Sequence, residues 1–288
     1  MPLDQSSYID YHDHEDEEEK HSGKEMSFLE HLEELRWHLI RSIAALLIFT
    51  IGAFIFMPTI YTKVVIAPIR LDFWTYRMMC KLGNAVNIEG LCVKKLEMTL
   101  INSELSGQFM MAMTSAGIIG LLFTFPYIFW ELWRFIKPGL KAKEVKAAQG
   151  AVFYVTALFF TGVLFGYYIV SPMTINFLAN FELNADIKKL IDISSYISIL
   201  ATLTLACGIA FQLPIAIYVL TKVGIIGPNF MRTYRKHAAV VILIVAAVIT
   251  PSPDMVSQLV VAVPLYFLYE VSIWVSVSVE RNKLKEAV

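Results

Sequence analysis

Apolar and charged positions do not alternate along this chain; they separate into long blocks. The first 25 residues hold nine Asp and Glu against two Lys. A run this acidic buries too little apolar area to offset its ordering entropy, so residues 1–25 are predicted to be a disordered tail. Order is predicted from Ser27, where Ser27 and Glu30 fit a capping box. The helix then continues through FLEHLEELRWHLIR (residues 28–41). Its first third is amphipathic and its last third wholly apolar. Five further apolar blocks follow. The pattern predicts an all-α integral membrane protein with one six-helix domain over 26–288. Its spans fall near 39–56, 108–130, 151–170, 196–220, 238–250 and 256–279.

The blocks differ in ways that carry information. Pro58 is expected to end span 1, and residues 58–106 read as a long polar loop. Gly162 and Gly166 make a GxxxG in span 3, which suits close packing of another helix within the bundle. A second loop is expected from Ser171 to about Ser194. Gln212 and Pro214 interrupt span 4. Span 5, Ala238 to Thr250, is only about 20 Å long by helix rise. Span 6 meets Glu270 about 24 Å after Asp254, so its clean apolar part is also short. A hydrocarbon core is about 30 Å thick, so two short spans imply tilt or local thinning of the bilayer. Glu270 itself reads as a lone interface carboxylate.

Composition agrees: 57% of residues are hydrophobic and 17% charged. The net charge of −1 hides a strong asymmetry between the two sides. Sixteen Lys and Arg fall on the side of the termini and eight on the other. The positive-inside rule then predicts both termini in the cytoplasm. The acidic start also predicts no cleavable signal peptide. Cys80 and Cys92 share the first outer loop, on the oxidising side, where they are either disulfide-bonded or free thiols. Cys207 reads as packing within span 4.

No phosphate-binding loop, HExxH, nucleophile elbow or zinc spacing is present in the sequence. No catalytic set, cofactor or nucleic-acid partner is therefore expected. The candidate chemistry lies in charged groups at membrane edges. Glu34 and Arg36 stand before span 1, and Glu144 in the basic loop after span 2. Two carboxylates from separate elements suit a di-cationic ligand, since guanidinium groups bind carboxylates in bidentate fashion. Gln212 needs a polar partner at its depth, and Asp254 is placed to cap span 6. A small-solute transporter or channel is the competing reading. It lacks support from internal repeats or a midplane carboxylate.

Seven motifs occur in an order that resembles the TatC family, the multi-span receptor subunit of the twin-arginine protein translocase. They are FLEHLEELRWHLI, APIR (67–70), FPYIFWELWRFIKPGLKAKE, YYIVSPMTINFLANF, ISSYISIL, FQLPIAI and TPSPDMVSQLVVAVPLYFLYE. The resemblance implies a bacterial inner-membrane protein that reads twin-arginine signal peptides of folded precursors. It further implies small single-span TatA/TatB-type partners, self-association and energy from the proton motive force. By the same resemblance Glu34 and Glu144 would read the arginines, with Arg36 and Phe135 beside them. Pro68, Gln212, Thr250, Asp254 and Gln258 match positions tied to partner subunits and translocation. The chain departs from the family pattern in carrying Gln212 where a glutamate is common, TPSPD in place of TPPD, and a longer first outer loop holding the two cysteines.

Overall fold

The computed structural model describes residues 28–86, 92, 99–137, 150–181, 190–250 and 255–287. The acidic tail, the Ser27 cap, Glu144 and Asp254 lie outside the described residues. Helix α1 (Phe28–Ile55) is span 1. Pro58 does not end the helical path. It sits in the first turn of a short helix α2 (Met57–Ile60), where its missing N–H leaves no hydrogen bond unmade. A π-helical turn (Tyr61–Val65) and a 3-10 turn (Ala67–Ile69) follow. Helix α3 (Trp74–Val86) and strand β1 (Thr99–Ile101) then fill a region the polar pattern left as loop. Helix α4 (Gly107–Ile136) is span 2. Span 3 is α5 (Ala151–Phe165), a π-helical turn (Gly166–Val170) and α6 (Ser171–Asn180). The loop expected from Ser171 is thus helical in its first ten residues, because Pro172 falls in the first turn of α6 and breaks nothing.

Strand β2 (Leu190–Asp192) leads into span 4, which is α7 (Ile193–Ala210) and α8 (Leu213–Val223). The break falls where Gln212 and Pro214 predict it. Helix α9 (Pro228–Thr233) precedes α10 (Arg235–Ile249), which is span 5, and α11 (Met255–Ala287), which is span 6. Among the described residues, five helical stretches are long and apolar enough to cross a membrane: Leu32–Ile55, Gly107–Ile136, Ala151–Asn180, Ile193–Val223 and Met255–Asn282. The sixth, α10, spans about 22 Å and is short, as the sequence predicts. Span 6 is short only in its clean apolar part, since α11 continues unbroken past Glu270. Glu270 is not a lone carboxylate either: Arg235 Nη2 donates to its Oε2 at 2.9 Å. That pair ties the start of α10 to the middle of α11.

Close approaches organise the bundle. A Cβ on Gly120 of α4 would lie 2.9 Å from the backbone of Thr50 in α1. Gly162 and Gly166 press against Leu203–Phe211 of span 4, so the GxxxG packs within the bundle as predicted. The main core joins spans 3 to 6 through Val170, Leu203, Cys207, Ile217, Ala246 and Leu265.

At the end of the bundle opposite the start of α1, the connections are braced. Strands β1 and β2 pair in parallel, Thr99 opposite Leu190 and Ile101 opposite Asp192, a three-residue ribbon on the all-α bundle. The Tyr76 hydroxyl lies 3.0 Å from the carbonyls of both Pro68 and Pro172. Burial pushes its pKa well up, so it stays a donor. Thr75 donates to the Tyr168 carbonyl, and Cys80 and Cys92 are joined by a disulfide.

Asp192 is the pivot of this brace. Its Oδ2 accepts from the Ser103 hydroxyl and N–H, and its Oδ1 from the Ser194 N–H at 2.8 Å and hydroxyl at 2.6 Å, capping α7. These bonds, the Ser103 hydroxyl foremost, hold its pKa below the carboxylate range. A depressed folded pKa gives stability that is complete above about pH 4 and is lost as the pH falls below it. Asp192→Ala is expected to lower the melting temperature at pH 7 and to flatten its dependence on pH between about 5 and 3. A thermal fluorescence series in detergent measures both.

Candidate functional site

The end of the bundle where α1 begins carries the acidic and aromatic groups of interest. FLEHLEELRWHLIR puts Glu34 and His38 one turn apart on α1, and ELWRF puts Glu131 and Phe135 one turn apart on α4. The Gly120–Thr50 approach, deeper in the same helix pair, holds α1 and α4 close enough for these two rows to meet.

The centre of the cluster is Glu131, which is 1% exposed. A buried carboxylate is strongly disfavoured without partners, and three are present. His38 Nδ1 makes a hydrogen bond to its Oε2, the Tyr127 hydroxyl, one turn away on α4, comes within reach of the carboxylate, and Arg134 Nη1 lies 3.8 Å from its Oε1. Arg134 also stands over the Trp130 ring, 4.9 Å from its centroid. On the other side of the imidazole, His38 Nε2 lies 4.0 Å from Glu34 Oε1. The Phe135 ring meets the His38 ring edge-on at 6.1 Å. Glu34 is half-buried, whereas Arg36, 5.9 Å over the Trp37 ring, is exposed.

The structure therefore brings together Glu34 and Phe135 from the predicted set. Glu144 lies outside the described residues. The joining residues are His38, Glu131, Tyr127 and Arg134. None of these four is in the set predicted from the sequence. The signal lay in the two one-turn pairs, 34/38 and 131/135, on helices that meet.

The remaining predicted residues lie elsewhere. Pro68 is buried in its 3-10 turn, its carbonyl facing the Tyr76 hydroxyl. Gln212 stands at the break of span 4 and donates through Nε2 to the Val155 carbonyl at 3.2 Å, a bond between helices. Thr250 is buried at the end of α10, its hydroxyl donating to Ala246 O at 2.9 Å. Gln258 Nε2 donates to Leu243 O at 3.0 Å and so joins α11 to α10. Near the braced end, Phe54, Tyr61, Asn102, Gln108 and Met111 line a mostly apolar cavity of about 850 Å³. Among the described residues no group of three His, Cys, Asp or Glu is placed to hold a metal ion.

A family model described as "Sec-independent protein translocase protein (TatC)" matches residues 30–264. The chain belongs to the TatC family. The Sec-independent protein translocase protein TatC of Blattabacterium sp. subsp. Periplaneta americana is 40% identical over 266 residues, which is 92% of this chain and all of that one. TatCy of Bacillus subtilis is 32% identical, over 91% of this chain and 93% of its own. A crystal structure titled as the twin arginine translocase receptor TatC, in DDM, superposes with a TM-score of 0.66 at 31% identity. It covers 85% of this chain and 99% of the other. The six-span TatC fold, a multi-pass membrane protein and a protein-translocase subunit are thereby shown for this chain.

Proposed function

We propose that this TatC-family chain is the receptor that reads the twin-arginine signal peptide of folded precursors. Glu34, with Glu144, accepts the two guanidinium groups at the cytoplasmic face of a bacterial inner membrane. The observation that carries this reading is the half-buried Glu34 carboxylate, set against His38 at the edge of a buried polar network where α1 meets α4, with the Phe135 ring against the same imidazole. Both termini lie in the cytoplasm, as the distribution of Lys and Arg supports. Arg36 and Phe135 flank the peptide. The peptide's apolar segment runs along the bundle.

The hairpin of α10 and α11, shortened on its α10 side, is where small single-span TatA/TatB-type subunits dock, near Thr250, Asp254 and Gln258. Pro68, whose carbonyl accepts from the Tyr76 hydroxyl, and Gln212, which donates to the Val155 carbonyl, serve that assembly. Copies of the chain associate within it. The proton motive force drives transport, since the sequence holds no nucleotide-binding loop. A solute carrier is not favoured, because Gln212 is committed to the Val155 carbonyl.

The test is binding of a labelled twin-arginine peptide to the full chain in nanodiscs. A peptide with lysines in place of the arginines should bind about tenfold or more weakly, since each guanidinium–carboxylate pair is worth about 1.5–3 kcal/mol. Equal binding of the two peptides overturns the reading.

A further inference from the structure

Glu131 stands behind the site, not in it. At 1% exposed it meets no ligand, yet its carboxylate is kept in the bundle with His38, Tyr127 and Arg134 around it. An apolar side chain would fill that volume without needing any of those partners. What the carboxylate supplies is direction. His38 is 8% exposed and held between two helices, so its ring has one way to lie. Nδ1 is engaged by Glu131, which turns Nε2 toward Glu34 at 4.0 Å and sets the ring edge against Phe135.

We propose that His38 and Glu131 are positioning residues that confer preference for arginine over lysine: Glu131 orients the imidazole, and the imidazole orients the Glu34 carboxylate. This rests on the proposed reading of Glu34 as an arginine acceptor. Guanidinium recognition is planar and bidentate, so it depends on how the carboxylate is turned. An ammonium is a point charge and does not. A carboxylate fixed in advance spares the ordering cost that a free one incurs on binding. Loss of the relay therefore weakens arginine binding far more than lysine binding. A residue that served only to hold the bundle together would weaken both alike.

The experiment measures dissociation constants of a twin-arginine and a twin-lysine peptide with the full chain in nanodiscs. For His38→Ala, arginine-peptide affinity should fall about fivefold, the worth of a close charged contact at 4.0 Å rather than of a hydrogen bond. Lysine-peptide affinity should fall less than about twofold, so the ratio of the two collapses. Glu131→Gln should move the ratio the same way. The double variant should be no worse than His38→Ala, because Glu131 acts through His38. Equal falls for both peptides, or an unchanged ratio, overturn the proposal. Should His38→Ala fail to fold by stranding the Glu131 charge, His38→Leu with Glu131→Gln removes that charge and carries the same expectation and the same refutation. With His38 and Glu131 kept, an arginine preference that Glu34→Gln leaves intact overturns the Glu34 reading and this proposal together. A preference that Glu34→Gln abolishes and His38→Ala spares overturns only the proposal.

Discussion

Glu34→Lys combined with Glu144→Lys is expected to abolish capture of a twin-arginine peptide, leaving photo-crosslinking at the level of a peptide without arginines. Each lost guanidinium–carboxylate pair is worth about 1.5–3 kcal/mol, so two pairs amount to at least about a hundredfold in affinity. The introduced ammonium groups then repel the ligand, which adds to the loss. At position 34 the change has a local sign as well. The new ammonium would face Nε2 of His38 where a carboxylate now stands at 4.0 Å. The buried Glu131 keeps its own partners, His38, Tyr127 and Arg134, so the helix pair should survive the substitution. Equal melting temperatures of the variant and the unsubstituted chain would confirm that binding was lost and folding was not. Unchanged crosslinking would remove the acidic clamp.

Gly162→Val is expected to cost about 3 kcal/mol of stability, at the upper end of overpacking penalties. A Cβ there would lie 2.6 Å from the Cys207 carbonyl oxygen and 2.9 Å from the Gly208 Cα. Those are backbone atoms of α7, which cannot turn aside as a side chain can. The helices must part, and the packing of Val163 and Phe159 against Gly208 parts with them. For a chain of this size about 3 kcal/mol corresponds to a fall of roughly 6–12 °C in melting temperature. Gly117→Ala is the control. A Cβ there meets nothing within 4 Å, and alanine favours the helix, so the melting temperature should hold or rise. Equal falls for the two variants would refute the packing argument.

The bundle was legible because its signals are local. Long apolar blocks fix the spans, Pro214 fixes the break in span 4, and Gly162 with Gly166 announces a close neighbour. What the pattern did not reveal depends on partners distant in the chain. Helix α3 carries Gly83 and several polar residues, and reads as loop. It is held by Thr75 on Tyr168, by Tyr76 between Pro68 and Pro172, and by the Cys80–Cys92 disulfide. Strands β1 and β2 are three residues each, too short to register as a period, and exist only as a pair. At the candidate site Glu34 and Phe135 were visible through family resemblance. His38 was not, because its meaning comes from Glu131, which reaches it from another helix. Glu270 likewise reads as solitary along the chain, because its partner Arg235 comes from another helix.

The brace around Asp192 also bears on how the protein is made. Ser103 and Asp192 are 89 residues apart, and Tyr196 reaches the Val65 carbonyl across 131. A chain emerging from the ribosome therefore inserts spans 1, 2 and 3 before any of these bonds exists. Until residue 192 arrives, the loop before α4 has no strand to pair with, and Tyr196 has yet to reach Val65. The last of the braced segments to be synthesised thus closes the first ones. Chains halted after span 3 should be cleaved by an added protease between residues 99 and 106, and chains extended past span 4 should resist it.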